Sequence, residues 1–414
     1  PTTSLSWPAR CTDPEIRRET EVTAMDHLPL EGVRIADFSW QIAGPTCTRY
    51  LGMMGAEVIR IESNRRPDPY RERSISHFIN QSKKSITLNL SHPRGIELAQ
   101  RLIGLSDVVI ENFAPGVIER LGLGYPELRR VKPEIIMLSS AGLGHSGPDM
   151  KQVAYGTLIQ CFTGWSALQG YPGHEPDIGG IWTDPVVGML EVFLINAALH
   201  RCWQSGQGQY IDLSMAEATT MLLPEAILDY SMNRRVQEPL GNRHPAYAPH
   251  GNYPCRGEDQ WIGIAVATDS QWQALCRTLG LTALLADPRY AGALRRWQNQ
   301  DALDAALAAA TRPHDALALM EQLQQAGVPA GPSTSVEQLW ENRHLRERGF
   351  FQTCTGQDGT ARELPATPWR LDGEAGGRMT AQPLRGQHNA YVFEELLGLA
   401  QPEVEALVEE QVIY

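Results

Sequence analysis

Closely paired cysteines, long apolar runs and the common phosphate- and metal-binding fingerprints are all missing from this sequence of 414 residues. Its seven cysteines are scattered without a CxxC pair, which argues against a disulfide framework or a zinc site. No Walker A, HExxH or GxSxG sequence occurs, and the eleven histidines show no metal-pair spacing. We therefore predict no metal site, and the unpaired thiols favour a reducing, cytoplasmic compartment.

Basic residues are also scarce relative to acidic ones. The 36 lysines and arginines face 48 aspartates and glutamates, so the net charge is −12 and nucleic acid is an unfavourable partner. The most apolar stretch, residues 186–199, is interrupted by Glu191 and Asn196, so the sequence predicts no membrane span. Residues 1–26 are polar, and we interpret them as an N-terminal extension.

Short β-rich runs alternate with helical segments through the first half of the chain. The predicted strands are residues 33–38, 57–62, 85–90, 107–111, 134–139 and 210–213, and the predicted helices include 46–54 and 93–103. Such an alternation indicates an α/β fold with a parallel sheet.

The pattern changes after about residue 225. Loop chemistry over 241–254 precedes a predicted strand over 261–267 and predicted helices over 270–279, 303–310, 315–325 and 336–346. We predict a large α/β domain over 27–224, a small α+β domain with its linker over 225–330, and a C-terminal segment over 331–414 that returns to the large domain.

Asp184 lies directly before Pro185 and an apolar helical run. An aspartate followed by proline is typical of a helix N-cap and the first helical position, so a plain cap is one interpretation. The other is catalytic, because a helix start stabilises an ionised carboxylate that could attack an activated acyl group. The residues alone leave both interpretations open.

A second group of polar and aromatic residues follows the predicted strand over 107–111. Asn112 could donate hydrogen bonds, Phe113 could stack on an adenine ring, and Arg120 could reach a phosphate. Ligands of open α/β sheets bind beyond the carboxyl ends of the strands. Lys84 could also contact phosphate, although a strand end, a core aromatic and solvated cations explain the same residues.

Several segments taken in order resemble the family III CoA-transferases, the CaiB/BaiF type that includes formyl-CoA:oxalate and carnitine CoA-transferases. The matching segments are 30–38, 43–45, 51–62, 109–116, 183–184, 206–212 and 327–332. The resemblance implies a Rossmann-like large domain that binds CoA, a smaller α+β domain and an interlocked homodimer.

The resemblance also assigns the candidate site. Asp184 occupies the place of the catalytic aspartate, and Asn112, Phe113 and Arg120 match positions that line the CoA site. Tyr155 matches an active-site tyrosine. A glutamine of formyl-CoA transferase aligns with Ile42, one residue after Gln41, so we count Gln41 as a candidate contact.

The implied reaction moves CoA from an acyl-CoA donor to a small carboxylic acid, through an aspartyl-acyl anhydride and an aspartyl-CoA thioester. No permanently bound cofactor is expected, since CoA is the substrate. One alternative is an α-methylacyl-CoA racemase, but its histidine should fall near residues 154–155, where this sequence has Ala and Tyr. Another is a non-catalytic CoA-binding subunit of a heteromeric transferase.

Overall fold

A computed structural model describes residues 28–371 and 373–414. The predicted N-terminal extension therefore lies outside the described residues. By their internal contacts the described residues form two compact units. Of the described residues, unit 1 comprises 28–139, Gly188–Ile211 and Phe350–Tyr414, and unit 2 comprises Ser140–Val187 and Asp212–Gly349. These divisions follow contacts rather than the sequence pattern, and the predicted domain boundaries stay a prediction.

Helices and strands alternate from the start of the described chain. In order they are β1 (Arg34–Asp37), α1 (Ala43–Met53), β2 (Glu57–Glu62), α2 (Ser76–Ile79), β3 (Lys83–Thr87), α3 (Pro93–Gly104), β4 (Val108–Glu111), α4 (Val117–Arg120), α5 (Tyr125–Val131), β5 (Ile136–Ala141), α6 (Gly156–Phe162), α7 (Trp165–Leu168), α8 (Thr183–Ser205) and β6 (Gln209–Ser214).

The remaining elements complete unit 2 and then return to unit 1. They are α9 (Met215–Thr220), α10 (Pro224–Asn233), β7 (His250–Pro254), β8 (Trp261–Ala265), α11 (Asp269–Thr278), α12 (Ala293–Gln298), α13 (Gln300–Thr311), α14 (Ala316–Gln325), β9 (Ala330–Pro332), α15 (Val336–Trp340), α16 (Arg343–Glu347), β10 (Phe351–Thr355), β11 (Ala361–Pro365), β12 (Arg370–Leu371), β13 (Glu374–Ala375) and α17 (Gln401–Glu409). Two 3₁₀ turns, Thr282–Leu285 and Pro288–Tyr290, and a π-helical turn, Tyr391–Leu396, connect them.

The main sheet has the strand order β3-β2-β1-β4-β5-β6. The pairs from β3 to β5 are all parallel, which confirms the predicted α/β fold with a parallel sheet. Neighbouring residues of β1 enter different apolar clusters, Ile35 on one face and Ala36 on the other. Both faces of the sheet are therefore covered, as a parallel sheet requires. The strand order changes direction between β1 and β4: from β1 the sheet continues through β2 and β3 on one side and through β4 and β5 on the other. Open α/β sheets bind ligands at such a reversal point.

Unit 2 contains a smaller antiparallel sheet, β7-β8-β9. Ile262 and Ile264 of β8 pack in one buried cluster with Leu303 and Leu307 of α13 and Leu319 of α14. Residues two apart on a strand, such as Ile262 and Ile264, point to the same face. Residues four apart on a helix, such as Leu303 and Leu307, also share a face, so both pairs reach one core.

Three local predictions need correction. The predicted strand over 85–90 is Lys83–Thr87, because Lys83 already pairs with Val58 of β2, and its Nζ is buried against Asp37 Oδ2 at 3.3 Å. The predicted helix over 336–346 is two helices, since Asn342 accepts a hydrogen bond from the Leu345 N–H and starts α16. Asp184 is not the N-cap, because α8 begins at Thr183.

The expectation that no segment could span a bilayer also needs correction. Among the described residues α8 meets the length and composition of a membrane-spanning helix. The same test is passed by core helices of soluble proteins. Within unit 1, Gly188 of α8 approaches α1 so closely that a Cβ would lie 2.6 Å from the Ala43 carbonyl oxygen. Ile195, Ala198 and Leu199 of α8 are also buried in an apolar cluster of unit 1, so part of the apolar composition is explained by packing.

Candidate active site

The loop between β1 and α1 lies at the reversal point of the sheet, and three successive backbone N–H groups of this loop donate hydrogen bonds to side chains. The Ser39 N–H donates to Asp37 Oδ1 at 2.9 Å. The Trp40 N–H donates to Asn112 Oδ1 at 2.7 Å, and Asn112 Nδ2 donates back to the Trp40 carbonyl at 2.8 Å. The Gln41 N–H donates to Asp68 Oδ2 at 3.1 Å. The loop is thus fixed before any ligand arrives.

Gln41 has a left-handed backbone, with φ of 61°. A non-glycine residue adopts this conformation at a cost of roughly 1 kcal/mol, which its surroundings must offset. Asp68 is the partner that holds it, and Arg60 NH2 in turn donates to Asp68 Oδ2 at 2.5 Å. A strained residue at a sheet reversal point is a candidate for ligand contact.

Three other predicted residues lie at the same end of the sheet. Phe113 packs edge-to-face on Trp40, with ring centroids 5.9 Å apart. Arg120 ends α4, and its NH1 would lie 3.0 Å from a Cβ at Gly116, so the guanidinium folds back over the loop that begins with Asn112. The structure therefore brings together Gln41, Asn112, Phe113 and Arg120.

Lys84 does not join this group. In the strand register it is level with Ile59, Ala36 and Val109, three strands from β4 and short of its carboxyl end. Strand spacing alone separates it from β4 by about 14 Å. Its Nζ lies 3.8 Å from Glu57 Oε1 and 4.4 Å from the centre of the Tyr391 ring. Its predicted role in CoA binding stays a prediction.

Sequence reasoning missed Arg66, which follows the carboxyl end of β2. Its guanidinium lies 5.9 Å from the centre of the Trp40 ring, and the side chain is exposed. The available signal was the Arg65–Arg66 pair, which begins three residues after the end of a buried strand, in the region where α/β sheets bind ligands.

In unit 2, Asp184 is the second residue of α8. The Val186 N–H donates to the Trp182 carbonyl at 3.2 Å, so the first turn of the helix encloses Asp184. Burial raises the pKa of its carboxyl group to about 6, against a smaller lowering by its own backbone N–H. Among the described residues Asp184 has no ion-pair partner. A half-buried carboxylate without a cation is costly, and such groups cluster at functional sites.

Helix α6 holds the start of α8 in place. Buried Gln160 donates through Nε2 to the Ile178 carbonyl at 2.7 Å, and Thr183 Oγ1 donates to Gln160 Oε1 at 3.3 Å. Trp182 packs edge-to-face on Trp165, with centroids 4.9 Å apart. The two residues that precede Asp184, Trp182 and Thr183, are therefore both fixed by contacts with neighbouring helices.

Tyr155 and Gly156 lie beside Asp184. Gly156 is the first residue of α6, and its Cα is in close contact with the Asp184 carboxylate. Tyr155 directly precedes it and is 54% exposed. The structure therefore places two predicted site residues, Asp184 and Tyr155, together in unit 2. Gly156 had no signal in the sequence beyond its position next to Tyr155.

Comparison with known proteins agrees with this geometry. The sequence model of CoA-transferase family III matches residues 30–389, and the chain belongs to that family. It is a CoA-transferase, an enzyme that uses CoA thioesters as substrates.

Individual relatives cover nearly the whole chain. Succinyl-CoA–D-citramalate CoA-transferase of Chloroflexus aurantiacus is 32% identical over 93% of this chain and 98% of its own. Succinate–glutarate CoA-transferase of Agrobacterium fabrum is 30% identical over 89% of this chain and 96% of its own. The crystal structure of a CaiB/BaiF family protein from Brucella suis superposes with a TM-score of 0.80 at 30% identity, over 89% of this chain and 100% of that one.

Proposed function

We propose that Asp184 is the nucleophile of a two-stage CoA transfer. A carboxylate oxygen of Asp184 bonds to the acyl carbon of the donor, the C–S bond breaks, and sulfur leaves as the CoA thiolate. The thiolate then attacks the Asp184 carbonyl carbon, the C–O bond to the donor acid breaks, and an enzyme–CoA thioester remains. The acceptor carboxylate attacks that thioester, and the same steps in reverse release the new acyl-CoA and free Asp184.

The observation that carries this proposal is the half-buried, unpaired carboxylate at the start of a rigid helix. An ionised Asp184 in apolar surroundings is poorly solvated, which makes it a better nucleophile than an exposed aspartate. Its pKa of about 6 still leaves it mostly ionised at neutral pH. The cycle needs no permanently bound cofactor, because thioester energy is kept in each intermediate.

The proposed CoA contacts are those at the reversal point of the sheet. Phe113 offers an aromatic face for the adenine, and Arg120 and Arg66 offer charge for the phosphates. Both amide ends of Asn112 are already bonded to Trp40, so Asn112 contributes by holding the loop that carries Gln41. We include Tyr155 as a contact near the acyl group.

Succinyl-CoA is the donor to test first, because two of the relatives described above are named for succinyl-CoA or succinate. We propose small dicarboxylic and hydroxy-dicarboxylic acids as acceptors on the same ground. The location we propose is cytoplasmic, since the six cysteines within the described residues are free thiols.

The test is an exchange assay with succinyl-CoA and a panel of acids, in which each new acyl-CoA is separated and quantified. We expect turnover with at least one acid and a loss of at least about 1,000-fold for Asp184→Asn. Asp149→Asn is the matched control, because Asp149 is an exposed aspartate of the same unit. Full activity in Asp184→Asn would refute the proposed nucleophile.

We also propose that the enzyme acts as a homodimer, interlocked as the family resemblance implies. Several large apolar side chains are exposed when one chain is considered alone. Phe193 on α8 is 67% exposed, and Met232 on α10 is 76% exposed. Exposed apolar residues in such number are typical of an interface between chains.

A further inference from the structure

Gly156 stands where Asp184 leaves no room for a side chain. A Cβ at Gly156 would overlap with Oδ2 of Asp184 and lie 2.9 Å from its Cγ. The next nearest atom, Cγ2 of Ile181, would be 3.5 Å away, which is an ordinary contact. Gly156 has no positive φ, so its backbone conformation does not require glycine. Glycine is required here because the Asp184 carboxylate approaches the backbone so closely.

We propose that Gly156 is a positioning residue for Asp184, because its missing side chain lets the carboxylate pack against the helix backbone in one fixed rotamer. This inference rests on the proposed function, which supplies the reaction that the held carboxylate performs. It adds a residue that neither the sequence pattern nor the family comparison assigns.

The geometry of α6 supports this role. Gly156 and Gln160 are four residues apart and lie on the same face of the helix. Gln160 accepts the Thr183 hydroxyl hydrogen bond, while Gly156 receives the carboxylate of the next residue, Asp184. The contact between the Gly156 Cα–H and Oδ2 is of the weak C–H···O type, so its value lies in orientation more than in energy.

Orientation of the carboxylate determines the rate of attack. Asp184 can rotate about two side-chain bonds, and contact with Gly156 removes that freedom before the donor binds. A methyl group at residue 156 would push the carboxylate aside. A displacement of about 1 Å from the reactive geometry costs roughly 100-fold in rate.

The first test is a double-mutant cycle on thermal stability with Gly156→Ala, Asp184→Ala and the double variant. We expect Gly156→Ala to lower Tm when Asp184 is present and to leave Tm unchanged when residue 184 is Ala, because the overlapping atoms are then gone. An equal loss of Tm in both backgrounds would overturn the inference. Gly104→Ala is the control, since a Cβ there meets only Val131 at 3.6 Å.

The second test is steady-state kinetics with succinyl-CoA. We expect Gly156→Ala to lower kcat about 100-fold and to change KM for succinyl-CoA less than about threefold, whereas Gly104→Ala matches the wild type. A kcat within about threefold of the wild type would contradict the role.

The two tests separate the inference from the function on which it rests. If Gly156→Ala does not fold but the double variant with Asp184→Ala does, the steric coupling is shown directly. If the wild type turns over no donor, the proposed function fails, while the stability cycle still reports whether Gly156 holds Asp184.

Discussion

At the scale of single residues, the chemistry depends on how one carboxyl group is solvated. Asp184 loses water on entering the first turn of α8, and no cation within the described chain replaces that hydration. The sequence located Asp184 but suggested an exposed N-cap. Its raised pKa and its contact with Gly156 arise from residues brought together by folding, which no local pattern encodes.

The pH dependence of acyl transfer follows from this pKa. Only the ionised carboxylate attacks, so we expect kcat/KM for succinyl-CoA to rise with pH through a midpoint near 6 and then level off. An exposed aspartate, with a pKa of about 3.9, would instead be roughly nine-tenths ionised by pH 5. Initial rates between pH 4.5 and 8 test this, with thermal stability measured at each pH. A rate that is flat over this range would contradict the buried carboxylate.

The free energy of unfolding should fall as the pH rises, whereas the rate of acyl transfer should increase. A carboxyl group whose pKa is raised by folding destabilises the protein above about pH 6, and this cost disappears below the unfolded value of 3.8. We expect Asp184→Asn to raise the free energy of unfolding by about 1–2 kcal/mol at pH 8, discounted for partial exposure, and by little at pH 4. Denaturant titrations at both pH values measure it. A stabilisation independent of pH would show that charge burial is not the cause.

At the scale of elements, the loop between β1 and α1 is the feature that prepares the sheet for a ligand. Sequence patterns predicted β2 correctly as residues 57–62, because a short run rich in β-branched apolar residues marks a buried strand. They could not predict the brace, meaning the two hydrogen bonds between the Asn112 side chain and the Trp40 backbone, because these residues are 72 positions apart in the sequence. The same limit applies to Lys83, whose burial depends on Asp37 in another strand.

Removing that brace should weaken CoA binding. We expect Asn112→Ala to leave both the N–H and the carbonyl of Trp40 without their partner, to lower the free energy of unfolding by about 1–3 kcal/mol and to raise Kd for CoA about tenfold. Calorimetric titration with CoA and denaturant unfolding measure the two effects. Gln325→Ala, at an exposed position of α14, is the control and should change neither. An unchanged Kd would show that the loop conformation does not depend on Asn112.

At the scale of the whole molecule, the alternating pattern predicted the α/β fold, and the family resemblance predicted a CoA-transferase, with which the family comparison agrees. The substrate pair could not be predicted, because the residues that select an acid differ in position among enzymes of one fold. Exposed apolar side chains on α8 and α10 point to a second chain, and single-sequence patterns do not distinguish an interface residue from a core residue.

The proposed dimer gives a prediction of mass. Light scattering should give about twice the chain mass of 45.9 kDa. We expect Phe193→Asp to shift the protein towards the single-chain mass, since a charge in an apolar interface is poorly solvated. Val408→Asp is the control, because Val408 is exposed at the C-terminal helix α17 and should not alter the mass. A wild type at the single-chain mass would refute the dimer.

Trapping of the covalent intermediate tests the central claim most directly. The protein is incubated with succinyl-CoA, hydroxylamine is added, and peptides are mapped by mass spectrometry, with Asp184→Asn treated in parallel. The proposed mechanism predicts a hydroxamate on Asp184 that forms only with an acyl-CoA donor and is missing from the variant. Turnover of succinyl-CoA without modification of Asp184, or a hydroxamate on another carboxylate, would contradict it.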